Sequence, residues 1–248
     1  MDHPNSILTS LAYARENLRT TRDTVPQEAW ELINSLYIYT RDHLPTRRGR
    51  FEFLRRVIHG AQQINGLLAG AMSRTAAYNF VWLGRYLERA DMTTRILDVR
   101  SANLLAHAGH PPDQTPSQSQ GQTLAPEQAE QDPFESIQWM SVLKSLSAYQ
   151  MYRQQVRLRV GGPDVLKFLL QNDSFPRSVS FCLKQLETCL QDLPGNAAPL
   201  AAIAPLKQRL NDAAVPELAH EGLHEFIDNL QISFGDLHNQ IAVAYFAH

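Results

Sequence analysis

Apolar residues recur every three or four positions along almost the whole chain, which is the spacing of one helix face. No stretch alternates apolar and polar residues convincingly enough to predict a strand. The pattern therefore predicts an all-α fold, a multi-helix bundle with one long central helix. Proline, glycine and capping residues bound the expected helices, which span about 6–23, 26–44, 51–71, 73–106, 133–160, 176–193, 199–213 and 216–246, and a further helical segment starts at Pro163.

The segment after the central helix differs from the rest in composition. From about 109 to 131 the chain is rich in Pro, Gln, Ser and Gly and has almost no large apolar residue. Such a composition cannot offset the entropy lost on ordering, so we expect a flexible loop within a single helical domain, 1–248. The opening of the first helix, Pro4–Ile7, is similar to the opening of a later one, Pro176–Val179, which indicates a weak internal duplication.

Charge and cysteine usage narrow the function classes. The 23 Lys and Arg residues nearly balance 25 Asp and Glu residues, and the net charge of −2 disfavours a nucleic-acid partner. No apolar run is long enough for a membrane span and no signal-like start is present, so we expect a cytoplasmic protein without a membrane partner. Cys182 and Cys189 lie two helical turns apart, beyond disulfide reach, and are expected to be reduced.

Charged residues on two predicted helices are the candidates for binding. Arg15 and Arg22 border the apolar face of the first helix, where a guanidinium needs a carboxylate, a carbonyl or an anionic ligand. Internal salt bridges to the central helix and a ligand site both satisfy this need. The central-helix charges form either a solvated ladder or one polar cluster with the first helix. The full candidate set is Arg15, Glu16, Arg19, Arg22, Asp23, Arg85, Glu88, Arg89, Asp91 and Arg95.

The string from His220 to His224 fits H-E-x-x-H, in which two histidines one helical turn apart bind zinc and the glutamate activates a water. A third ligand is missing, although Asp228, Asp236 or His238 could replace it. Gly222 weakens a helix inside the motif. We interpret the string as a coincidental match at a helix start, so neither a metal nor another cofactor is expected, and no catalytic residue is identified.

Several stretches resemble the bacterial alpha-E family, an all-helical domain of unknown function named for an E-x-x-R motif, which would be Glu16 to Arg19 here. The resemblance rests on A-R-E-N-L-R-T-T-R-D in the first helix and L-G-R-Y-L-E-R-A-D in the central helix. It continues through Phe175–Val179 and Gly222–Phe226 and so covers nearly the whole chain. Family members carry an earlier copy of the L-G-R-Y-L-E-R-A helix, so the resemblance implies an N-terminally truncated member.

The resemblance also implies a functional setting. Genes of the family lie beside, or are fused to, genes for ATP-grasp ligases and transglutaminase-like peptidases, which implies a role in peptide synthesis or modification. We therefore expect an accessory helical subunit, without catalysis of its own, that contacts such a ligase, peptidase or peptide through the Arg/Glu cluster. The alternatives are a hydrolase or transferase, with zinc at His220 and His224 or with Glu16 and Glu88 as acid and base, and a purely structural scaffold.

Overall fold

The computed structural model describes residues 6–43, 46–108, 133–156, 160–219 and 221–247, and within these ranges it contains helices and no strand. The all-α prediction is confirmed. The predicted loop at 109–131 lies outside the described residues. A single 3-10 turn, Arg22–Thr24, follows the first helix. The α-helices are α1 (Ile7–Thr20), α2 (Gln27–Asp42), α3 (Arg50–Ala71), α4 (Ala76–Ala108), α5 (Pro133–Ser145), α6 (Tyr149–Gln155), α7 (Gly162–Gln171), α8 (Val179–Gln191), α9 (Ala197–Asn211), α10 (Val215–Leu218) and α11 (Leu223–Tyr245).

The chain divides into two compact units, unit 1 (Met1–Tyr78) and unit 2 (Asn79–His248). In unit 1, α2 packs against both α1 and α3. The face of α2 that carries Ile33 and Leu36 is buried, whereas no described residue of α1 is fully buried. The predicted apolar stripe of α1 is therefore only half covered, and polar side chains of α1 lie close to its packed face.

Unit 2 is built around α7, which packs against α5, α8, α9 and α10. One face of α11 is an apolar stripe, with six of its residues buried and Phe226 half-buried. The long helix α4 runs antiparallel to α11. Near the start of α4 the Phe80 ring lies 5.1 Å from the ring of Tyr245, and further along Asp98 contacts His224 at the start of α11.

The helix predicted over 133–160 is wrong in its extent, because the structure breaks it between α5 and α6. Ser147 has a φ of 52°, in the left-handed region. Its N–H bonds to the carbonyl of Lys144, and the Ala148 N–H bonds to the carbonyl of Leu143 at 2.7 Å. These two bonds form a Schellman ending. Glycine usually occupies its left-handed position, so the serine gave no signal that a helix ends here.

The helix predicted over 216–246 is also broken. The short helix α10 ends at Leu218, and α11 begins only at Leu223. Between them Gly222 has a φ of 81°, a conformation that costs side-chain-bearing residues about 1–2 kcal/mol. The glycine therefore permits the turn that separates the two helices.

Both cysteines are buried free thiols, as expected. Burial raises the pKa of Cys182 to about 12 and that of Cys189 to about 11. Thiolate chemistry at neutral pH is therefore disfavoured at both positions. Among the described residues, no helix combines the length and apolar character needed to cross a membrane.

Candidate functional site

Arg15 meets an amide and two aromatic rings within unit 1. Its Nε donates a hydrogen bond to Asn34 Oδ1 at 2.7 Å. Its guanidinium carbon lies 5.3 Å from the ring centroid of Trp30 and 5.3 Å from that of Tyr37. An arginine beside a packed helix face can thus be stabilised by amide and π contacts without a carboxylate.

Arg22 also stacks on the Trp30 ring. Its guanidinium carbon lies 4.4 Å from the ring centroid. The Arg22 side chain is exposed, and no carboxylate pairs with it in the part of the chain that the structure describes. A pocket of about 440 Å³ adjoins it, lined by Arg22, Val25, Pro26, Gln27, Trp30 and Glu31. Because aromatic stacking leaves the planar fork of N–H donors free, this arginine can bind an oxyanion.

The remaining candidates of unit 1, Glu16, Arg19 and Asp23, are exposed. Glu16 and Arg19 make a two-pronged ion pair, with Arg19 Nε donating to Glu16 Oε2 at 2.9 Å. The hydrogen bond from Arg19 lowers the pKa of Glu16, which stays ionised at neutral pH. Asp23 is exposed next to Arg22. A fully exposed pair of this kind stabilises the fold little, so its charges are available to a partner.

The candidates on α4 belong to unit 2 and have different partners. Arg95 Nε donates to Asp91 Oδ2 at 2.6 Å, as the spacing predicts. Arg89 Nη1 donates to the carbonyl of Pro176 at 2.9 Å, and the Arg85 guanidinium lies 4.2 Å from the Trp82 ring centroid. Glu88 is exposed. Five candidates thus lie on each unit, and a single cluster that joins the two sets stays a prediction.

The H-E-x-x-H string does not form a continuous helical motif. Glu221 and Gly222 precede α11, and His220 lies outside the described residues. Zinc binding by this motif requires both histidines on one face of the same helix. Glu221 and Gly222 are not helical, so the helix that the motif requires between positions 220 and 224 is not formed. Among the proposed replacement ligands, Asp236 and His238 lie about 18 Å or more along α11 from His224.

His224 instead bridges two carboxylates. Its Nδ1 lies 2.6 Å from Asp98 Oδ1, and its Nε2 lies 3.5 Å from Asp228 Oδ2. The ligand atoms of these three residues lie within 4.8 Å of one another and could hold a divalent cation. A metal needs an unprotonated ring nitrogen, whereas the hydrogen bond to Asp98 and the charges of Asp98 and Asp228 raise the pKa of His224. A proton therefore competes with any cation here.

We expect the stabilising effect of His224 to depend on pH. Because its folded pKa is raised above the unfolded value of about 6.5, its contribution is fully present below pH 6.5 and is lost as pH rises through the folded pKa. NMR titration of the His224 ring protons should give a pKa above 6.5, and His224→Gln should remove this part of the pH dependence of unfolding. His238→Gln, on the exposed side of the same helix, is the matched control. An unshifted His224 titration would contradict the bridged geometry.

Sequence reasoning missed the partners of the arginines more than the arginines themselves. Trp30 stacks with both Arg15 and Arg22, and Asn34 bonds to Arg15, yet neither residue was predicted as a partner of these arginines. The signal was present, because Trp30 and Asn34 lie one helical turn apart on the side of α2 that faces α1. Arg177, next to the Pro176 carbonyl that Arg89 contacts, was read only as part of a helix start.

The comparisons with known proteins agree with the fold. A sequence model of the alpha-E family, described as a predicted alpha-helical domain with a conserved ER motif, matches residues 1–246. The expected E-x-x-R motif at Glu16 to Arg19 is therefore wrong as the family motif, because the one adjacent Glu-Arg pair of the sequence is Glu88-Arg89, on α4. No curated protein and no solved structure matches the chain. Since the match spans both units and nearly every residue, the chain belongs to the alpha-E family.

Proposed function

We propose that this alpha-E protein is an accessory binding subunit of a cytoplasmic peptide-forming or peptide-modifying system. It contacts an ATP-grasp ligase, a transglutaminase-like peptidase or their peptide through its arginine and glutamate side chains, and it has no catalytic activity of its own. The arginines hold a carboxylate or phosphate group of the partner. Arg22 carries this proposal, because its guanidinium is oriented by Trp30 and has no carboxylate partner among the described residues.

The two arginines that border the α1 face have different roles in this proposal. Arg15 is half-buried and engaged by Asn34, Trp30 and Tyr37, so it orients α1 against α2. Arg22 is exposed at the end of α1, where the Trp30 ring restrains it without using its N–H groups. A restrained guanidinium loses little side-chain entropy on binding, which favours recognition of a planar carboxylate.

The neighbouring charges make the surface selective. Glu31 lines the pocket beside Arg22 and Asp23 follows Arg22 in the sequence, so negative charge flanks the guanidinium and a partner must present its anionic group at one place. Like-charge contacts around the correct position disfavour other partners. On unit 2, exposed Glu88 and the Asp91–Arg95 pair are the second contact set of the proposal.

We expect Arg22→Gln to weaken capture of the ligase or peptidase by roughly tenfold or more, because a charge-assisted hydrogen bond contributes about 1.5–3 kcal/mol. The measurement is affinity capture from native lysate with the full chain as bait, followed by mass spectrometry of the bound proteins and titration of the purified partner. Arg41→Gln is the matched control, since Arg41 is an exposed arginine of the same unit that pairs with Asp42. Both variants should unfold at the wild-type temperature.

Other outcomes contradict the proposal. Equal capture by Arg22→Gln and Arg41→Gln would exclude the Arg22 surface as the contact. Capture of neither a ligase nor a peptidase, together with stoichiometric zinc in the same sample, would favour a hydrolase instead. Charge variants that lower stability and change no binding would favour a structural scaffold.

A further inference from the structure

A second pair of arginines lies on unit 2, where α4 meets the segment before α8. Arg89 Nη1 donates to the Pro176 carbonyl at 2.9 Å, and Thr93 Oγ1, one turn further along α4, donates to the Arg177 carbonyl at 2.9 Å. Thr93 is almost completely buried. These two bonds hold the Pro176–Arg177 backbone against α4. The guanidinium of Arg89 therefore lies next to the backbone of Arg177.

The two positive charges have no acidic partner among the described residues. Neither Arg89 nor Arg177 forms an ion pair with any residue that the structure describes. Asp173, the acidic residue closest to Arg177 in the sequence, instead accepts a hydrogen bond from Ser180 Oγ at 2.6 Å. Cys182 Sγ, 3.7 Å from the Pro176 carbonyl, is a neutral thiol at pH 7, because burial raises its pKa to about 12.

This arrangement is electrostatically unfavourable without a ligand. Arg177 is half-buried, and desolvation followed by the charge of Arg89 lowers its pKa. A partly desolvated cation beside a like charge needs a counter-charge. Arg89 donates one of its five N–H groups to the Pro176 carbonyl, and its guanidinium carbon lies 5.7 Å from the Tyr86 ring centroid. Most N–H donors of the Arg89 and Arg177 guanidinium groups therefore remain available to a ligand.

We propose that Arg89 and Arg177 form a binding site for a phosphate-type oxyanion. Two guanidinium groups carried by neighbouring chain segments match the several oxygens and the double charge of a phosphate group better than the single plane of a carboxylate. The inference goes beyond the proposed function, because it adds Arg177, concerns a small anion and is independent of capture through Arg22.

The test uses the full chain and inorganic phosphate, at an ionic strength kept constant with sodium chloride. We expect calorimetric titration to show phosphate binding, and the unfolding temperature to rise by roughly 2–4 °C at ten times the dissociation constant. Arg177→Gln should lose this rise and weaken phosphate affinity about tenfold or more. Without phosphate, Arg177→Gln should unfold no earlier than wild type, since it removes the repulsion with Arg89. Lys184→Gln, an exposed charge change on α8, is the matched control and should keep the full response.

Three results would overturn the site. The first is a phosphate response of Arg177→Gln as large as that of wild type, and the second is a wild-type protein that does not respond to phosphate beyond sodium chloride. The third is an equal response to acetate at the same concentration, which would exclude the phosphate assignment. Arg177→Lys keeps the charge, so partial retention of the response by this variant supports the site even if Arg177→Gln folds poorly.

Discussion

Replacing Trp139 by alanine is expected to lower the free energy of unfolding of unit 2 by about 3–5 kcal/mol, because the indole is 2% exposed and its removal leaves a large cavity. The ring packs against the backbone at the start of α7, where a Cβ added at Gly162 would lie 3.0 Å from Trp139 Nε1. Its N–H also donates to Glu135 Oε1 at 3.1 Å. Chemical denaturation followed by circular dichroism measures the loss.

A control on the same helix separates burial from helix propensity. Ile137 lies two residues before Trp139 on α5 and is 63% exposed, so Ile137→Ala should change stability by no more than about 0.5 kcal/mol. Trp139→Phe keeps most of the ring volume and should cost less than Trp139→Ala. Equal effects of Trp139→Ala and Ile137→Ala would show that the indole is not part of the core.

We expect Ser178→Ala to destabilise unit 2 by about 2 kcal/mol, since one fully buried hydroxyl makes two hydrogen bonds. Ser178 Oγ accepts from the Phe181 N–H at 3.1 Å, which caps α8, and donates to the carbonyl of Asn172. The alanine variant leaves both backbone groups without these partners. Thermal and urea unfolding of the variant measure the change.

The corresponding cap of unit 1 is the matched control. Ser6 caps α1 with the same geometry, accepting from the Thr9 N–H at 3.1 Å, but it is only half-buried. Ser6→Ala should therefore cost about 1 kcal/mol or less. A larger loss for Ser6→Ala than for Ser178→Ala would contradict the argument that burial doubles the importance of the cap.

These two serines also show how far the internal duplication extends. The similarity of Pro4–Ile7 to Pro176–Val179 corresponds to a shared local structure, with cap φ and ψ angles of −77° and 155° at Ser6 and −71° and 151° at Ser178. Burial then differs, because α8 packs into the interior of unit 2 whereas α1 packs mainly on α2. A local motif repeats, and its surroundings do not.

Helix ends were predictable where the residue type has a strong preference for a helix end. The starts of α1, α3 and α8 were placed to within about one to three residues. The break at Ser147 was missed because serine is common in helices, and its left-handed conformation is stabilised by bonds to the preceding turn. The string around Gly222 was interpreted as a helix start, which the beginning of α11 at Leu223 confirms, but the separate short helix α10 before it was not predicted.

The residue types and their spacing along the chain were sufficient to predict the all-α class, the family resemblance, the reduced cysteines and which arginines need partners. Helical periodicity and capping act within a few residues, so they can be read from one sequence. The partners themselves were chosen only by tertiary packing, which brings Trp30 and Asn34 to Arg15, Pro176 to Arg89, and Asp98 to His224. Such contacts join residues on separate elements, and their geometry depends on how each helix is rotated and aligned against its neighbour.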